Sequence, residues 1–503
     1  MTRKWVTLAV VNVAVFMLLL DITVVNTALP SIREDLDASF TDLQWVVDAY
    51  TLTLAAFVLA AGSLADRLGR RRVFAWGLGI FTVASAVAAL SPDPTWLNLS
   101  RAVQGIGGAI MFAVSLALIA QEFKGKELGM ATGLYGATIG VAVAIGPLVG
   151  GALTDGIGWQ SVFALNVPIG IAAIVLTFLK IAESRDPEAH GVDWPGVATF
   201  STSLFLLVLA LLRGNEEGWG SALIVGLFAG AAALLAAFVV VEMRQKNPML
   251  PFHLFRIPTF TGVQLASFAI SASMFALFLY LTLYMQNILG LSPLETGLRY
   301  LPLTVVSFLV APLAGVLLSR LPARGMLTAG LLMVGSGLIL MAGVEQGDEW
   351  TGLLGGFLIA GGGIGLINPV IAHVAVSVVP PQQSGMASGI NDTFRQVGIA
   401  VAIAAYGALF LGTAESEIVE RVPGADGHGL AEAVSSGNLP ANTPDHVADA
   451  AREGFLAGFN QITLIGAAIA ILGAIASLLL IRSRDIRDAP EQQVEGEPVP
   501  VPA

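Results

Sequence analysis

Apolar stretches long enough to cross a bilayer as a helix recur fourteen times along this chain, and that repetition limits what it can fold into. Hydrocarbon offers the backbone no hydrogen-bond partner, so stretches of this length must pair their N–H and C=O groups internally as helices. Spans are expected near 5–29, 44–64, 73–91, 95–118, 130–154, 162–180, 194–212, 221–241, 260–287, 293–318, 324–344, 350–379, 386–412 and 457–481. Charged residues make up 12% of the 503, about half the ~25% of a soluble domain, and mean hydropathy is +0.78. The first run follows Arg3 and Lys4 as a signal peptide would. Its length suits a bilayer span, and Asp21 suits a cleaved segment poorly, so a retained first helix is expected.

Lys and Arg placement sets the orientation. With the N-terminus in the cytoplasm, 18 of the 25 fall on that side and five on the other; Arg101 and Arg395 lie within spans. Both termini are therefore expected in the cytoplasm, and the cell membrane is the expected location. Net charge is −11, and no domain-sized basic face marks a nucleic-acid binder. The absence of cysteine excludes disulfides, thiolate metal sites and cysteine nucleophiles. Neither His-Glu-x-x-His nor a Gly-x-x-x-x-Gly-Lys-Ser/Thr loop is present. No catalytic residue, metal, cofactor or obligatory protein partner is expected, and membrane lipid is the surrounding medium.

Four ionisable residues, Asp21, Arg101, Asp392 and Arg395, stand out within apolar runs. A charge at bilayer depth costs about 2.5–3.5 kcal/mol on insertion scales and by default marks an ion or substrate path. Asp21 lies about 12 Å below the outer end of its helix and Arg101 about 9 Å below Thr95, at similar height. A nearby arginine favours the carboxylate and desolvation opposes it, so alternating exposure of the pair would let a proton bind on one side and leave on the other. A permanent structural ion pair is the alternative. Asp392 and Arg395 share a helix face and either pair locally or line an inner cavity in the second half of the chain. Asn368 and His373 reach comparable depth.

Several segments carry a resemblance. Gly62-Ser-Leu-Ala-Asp66-Arg67-Leu-Gly69-Arg70-Arg71-Arg72 follows the second span and resembles the signature between helices 2 and 3 of the major facilitator superfamily. Arg101-Ala-Val-Gln104-Gly105-Ile-Gly107-Gly108 resembles the family's helix-4 motif, whose arginine is implicated in proton coupling. Gly146-Pro147-Leu-Val-Gly150-Gly151 resembles the antiporter motif of drug exporters, with Ala142 in place of its upstream glycine. Leu20-Asp21-Ile-Thr23-Val-Val-Asn26-Thr-Ala28-Leu29-Pro30 is similar to the first-helix motif of the fourteen-helix drug:proton antiporters. Trp159 to Gly170 and Gln286 to Pro302 resemble further segments of that subfamily.

The resemblance implies an all-α membrane fold of the major facilitator type: six-helix bundles over 1–190 and 251–490, a two-helix insertion over 191–250, and alternating access to a site near the bilayer midplane. It implies Asp66 and Arg70, with Gly62, Arg67 and Gly69, as a cytoplasmic gate closing on the opposite bundle. Gly146-Pro147 would serve as a bend or as a tight contact between halves, and glycines there could also simply improve packing. The implied function is efflux of amphipathic or cationic organic compounds driven by the proton gradient; export of an endogenous lipid, siderophore or secondary metabolite is the alternative. Asn26, Asn166, Gln264, Tyr280, Tyr284, Asn368 and His373 are candidate cargo contacts, since aromatic faces beside a buried acid suit organic cations. Tyr280 and Tyr284 fit an interfacial belt equally well. The acidic loop 413–454 is either a small helical hairpin or disordered, and the tail 491–503 is expected to be disordered.

Overall fold

The structure is a computed structural model that describes residues 3–123, 125–185, 191–245, 248–318, 320–380, 383–440 and 442–486. The expected disordered tail lies outside these residues. In chain order the α-helices are α1 (Arg3–Leu36), α2 (Phe40–Leu68), α3 (Arg70–Ala89), α4 (Pro94–Glu122), α5 (Gly125–Gly156), α6 (Gln160–Ala164), α7 (Asn166–Lys180), α8 (Trp194–Glu217), α9 (Ala222–Arg244), α10 (Pro258–Ile270), α11 (Ala276–Leu283), α12 (Pro293–Arg299), α13 (Leu301–Leu318), α14 (Ala323–Met341), α15 (Leu354–Ser377), α16 (Ser384–Arg421), α17 (Gly427–Ser435) and α18 (Asp445–Leu480). No strand occurs among the described residues.

Twelve segments of the described residues are long and apolar enough to cross a membrane. Helices α2 and α5, of 29 and 32 residues, have the length as well. Segment Pro258–Ile288 is composite: π-helical turns at Ser271–Phe275 and Tyr284–Ile288 flank α11. The hydroxyl of Tyr406 on α16 donates to the Ala272 carbonyl in the first of these turns, 2.8 Å away.

Helix starts follow local chemistry. Ser39 and Asp42 form a reciprocal capping box at the start of α2, and Ser292 and Glu295 do the same for α12. Asp93 caps α4, with Pro94 in its first turn. The loop 413–454 is largely helical: α16 runs on to Arg421, α17 follows, and α18 starts at Asp445. Arg421 pairs with Glu417 and with Glu453, tying the two long extensions together.

The end of the molecule holding Arg3 and Lys4 is called proximal here, and the end holding the α1–α2 turn distal. In one set, α1 packs on α5, α4 on α2 and α3, and α3 on α7; in the other, α15 packs on α13 and α14, and α18 on α10, α14 and α16. Helices α8 and α9 pair with each other, and α8 also leans on α16 and α2. One apolar core around Val11, Met17, Phe74 and Phe81 fills the first set. A second fills the other set and runs over the distal end to include Leu29, Ile32, Phe40 and Phe163. The described hydrogen bonds between the sets are distal too: Gln286 to the Thr27 carbonyl, Gln44 to Tyr280 and to the Ile403 carbonyl, and Ser292 to Asp155.

Candidate functional site

Asp21 on α1 and Arg101 on α4 meet inside the first set. Arg101 Nη1 donates to Asp21 Oδ2 at 2.5 Å. The other carboxylate oxygen accepts from Gln104 Nε2 at 2.8 Å and Asn166 Nδ2 at 2.9 Å. Arg101 also donates to Gln104 Oε1 at 2.6 Å and, through Nε, to the Val46 carbonyl of α2 at 2.9 Å. Its guanidinium lies over the Tyr50 ring, 4.3 Å from the centroid, a favourable cation–π placement. Ser85 of α3 accepts from Gln104 at 2.8 Å and donates to the Phe81 carbonyl. Five helices thus converge on one acid–base pair, whose side chains are 0% and 1% exposed. In this conformation the pair is dry and well satisfied, the condition under which a buried pair is tolerated. Asn166, a candidate cargo contact from the sequence, donates to Asp21 in this conformation.

Glycines of α5 set how closely its neighbours approach. A Cβ on Gly146 would collide with Thr23 of α1, and one on Gly150 would sit 2.7 Å from the Val24 carbonyl. Facing the other set, a Cβ on Gly151 would lie 2.8 Å from Leu294 Cα, and one on Gly297 would lie 3.1 Å from Leu148 Cα. The stretch holding Pro147 is therefore a contact surface on two sides, within its own set and across the distal seam.

Asp48 on α2 went unremarked in the sequence. It is 0% exposed, and neither carboxyl oxygen has a hydrogen-bond partner. Its signal was an acid inside an apolar run, more than two turns beyond the N-cap Ser39. Tyr280 beside it is sealed: its hydroxyl accepts from Gln44 and donates to the Ile403 carbonyl at 2.7 Å. Tyr284 is buried and stacked on Phe459, with centroids 5.1 Å apart. Gln264 is buried and accepts from Asn391 at 3.0 Å. All three side chains are buried in this conformation, Gln264 with its Nε2 left without a hydrogen-bond partner, and neither tyrosine lies in an interfacial belt.

Asp392 and Arg395 on α16 are half-buried, and no ion pair joins them. The Arg395 guanidinium lies 6.0 Å from the Phe275 ring centroid. Asn26 and Asn368 are half-buried and His373 is exposed, 3.4 Å from Ser377.

At the α2–α3 turn, Gly69 has φ +111°, a conformation that favours glycine, and its missing Cβ leaves room for the Glu183 carboxylate, 2.6 Å from that position. Glu183 also accepts from the Arg71 amide at 3.1 Å and lies near both Arg71 and Arg72, while the Arg70 amide donates to the Ser184 carbonyl. These anchors lie in the first set, and no motif in the sequence marks Glu183 for this role. Gly62 is half-buried with open space beside it, and Arg67 is exposed. The side chain of Asp66 lies outside the described residues.

Helical sets that meet at one end and leave charged side chains half-open away from it make the architecture of a membrane carrier. Residues 11–403 match the model of the Major Facilitator Superfamily, and the chain belongs to that family. It is 32% identical to the tetracenomycin C resistance and export protein of Streptomyces glaucescens, over 100% of this chain and 95% of that one. It is also 32% identical to the multidrug efflux pump LfrA of Mycolicibacterium smegmatis, over 94% of this chain and 95% of the relative. A bacterial homologue of the human lysosomal transporter Spinster, solved inward-facing and occupied, shares the fold with a TM-score of 0.62 at 17% identity, covering 96% of this chain and 98% of that one.

Proposed function

We propose that the protein exports amphipathic or cationic organic compounds across the cell membrane in exchange for protons. The relatives named for drug export and resistance support the cargo class. The observation that carries the coupling is the Asp21–Arg101 pair, a buried charge whose cost is worth bearing in a carrier that changes its partners. Fourteen crossings follow if α2 and α5 join the twelve apolar segments, giving six-helix bundles over 1–190 and 251–490 and an insertion over 191–250. The Lys and Arg bias places the proximal end in the cytoplasm. This conformation is then closed outside and open inside, with Asn26, Asn368, His373, Asp392 and Arg395 available to cargo. A proton taken up by Asp21 from outside weakens its hold on Arg101, and release to the cytoplasm restores it. The proton gradient is the energy source.

Purified protein in vesicles bearing a pH gradient should release protons when an organic cation is added. Cargo transport that continues unchanged after the gradient is collapsed removes the coupling. In a fluorescence efflux assay, indifference to varied organic cations would favour a lipid exporter instead. With Glu183 anchoring the α2–α3 turn, Asp66 and Arg70 remain the proposed gate, engaging the second bundle when the inside closes. Asp66→Asn is expected to lower turnover severalfold while ligand binding persists; wild-type turnover in that variant counts against the gate.

A further inference from the structure

We infer that Asp48 is a second proton-binding site of this carrier, loaded from the outer water when the α2–α16 seam parts and holding that seam shut once neutral. The inference extends the proton-coupled reading above. Asp48 lies one turn from Gln44, and with Thr51, Leu52 and Ala55 they form the α2 face turned away from Arg101. That face packs on α16 and α8, where Ala400, Ala404, Leu204 and Val208 are buried against it. A carboxylate in such a place has neither counter-charge nor donor, so the carboxylic acid is the form the closed seam accepts.

Among the described residues nothing adjoining offers a substitute charge. On α4, Arg101 is engaged by Asp21 and by the Val46 carbonyl. On α16, Asp392 and Arg395 lie at least about 7 Å nearer the start of the helix than Ala400. On α8, Arg213 pairs with Glu216 and Glu217. Arg70, Arg71 and Arg72 of α3 are at the proximal end. The titratable hydroxyls of Tyr280 and Tyr406 donate to the carbonyls of Ile403 and Ala272. Among the described residues of α2, Gln44 makes the hydrogen bonds to the facing set, and its bonds to Tyr280 and Ile403 exist only while the seam is closed. Parting the seam admits water to Asp48 and lets its proton leave to the outside; reclosing requires that a proton from the outer water return to the carboxylate.

Because the chain has no cysteine, spin labels at Leu90→Cys and Glu349→Cys, on exposed distal turns of the two sets, would report seam opening in nanodiscs. Wild type should shift toward the longer distance between pH 5 and pH 9. Asp48→Asn should stay short throughout, its open-to-closed ratio changing at least tenfold less, and Asp48→Glu should restore the response. Asp48→Ser makes the same test if the Asn variant does not accumulate. A wild type whose distances ignore pH, or an Asn variant that follows pH as wild type does, overturns the inference. The measurement uses no cargo or gradient, so it can succeed where drug-driven proton movement fails, and the reverse.

Discussion

Arg101→Ala is expected to destabilise the protein by about 3–5 kcal/mol and to abolish proton-coupled efflux. Removing the guanidinium leaves the Asp21 carboxylate buried with only two neutral amide donors, Gln104 and Asn166. It also strips the Val46 carbonyl and the Tyr50 face of their partner. The thermal midpoint of the purified protein reads the first effect, and drug-driven proton movement reads the second. Arg101→Lys should recover little of either, because an ammonium lacks the planar fork that serves Asp21, Gln104 and Val46 together. The double variant Asp21→Asn with Arg101→Gln separates the two roles. It removes both charges from dry protein, so stability should return close to wild type while coupled efflux stays lost. A double variant that exports at the wild-type rate would make the pair structural only.

Gly151→Leu should reduce export by more than tenfold with little loss of fold stability, because it wedges the distal seam rather than a bundle core. A Cβ alone would press on Leu294 Cα at 2.8 Å, and a leucine side chain has no room between α5 and α12. Overpacking of this kind costs about 1–3 kcal/mol where the structure resists; here the two sets can part instead, which relocates the cost from folding to the closed state. Distances between distal labels should lengthen. Gly156→Ala on the same helix, with open space around it, should behave as wild type. Wild-type export by the Gly151 variant would show that close approach at this seam is not needed for turnover.

Much of the fold was legible because hydropathy reports the medium. Segment positions from α1 to α15 follow the apolar runs closely. The misjudged lengths were α16 and α18, expected to end near 412 and to begin near 457, whereas they run to Arg421 and start at Asp445. Those extensions carry Glu415, Glu417, Glu420, Arg421 and Asp449, so hydropathy falls where the helix leaves lipid, although the backbone stays helical. The Asp21–Arg101 pairing was foreseeable from equal depth. Its completion by Gln104, Asn166 and Ser85 was not, since hydrogen bonding among five helices leaves no periodic trace in any one of them. Asp48 was hidden for a related reason: nothing along α2 marks which of its faces the neighbouring set will cover.

The order of amino acids by itself determined that the chain is built of apolar helices of membrane-crossing length and that the charges within them demand explanation, and its Lys and Arg placement supplied the expected orientation. Those properties follow from transfer free energies, which are summed along the chain and need no knowledge of neighbours. Tertiary structure alone decided which charges are sealed, which lie half-open, and that the seam between sets closes distally over an unpaired acid. Burial and hydrogen-bond satisfaction belong to pairs of helices brought together, and a single helix carries no record of the surface that will cover it.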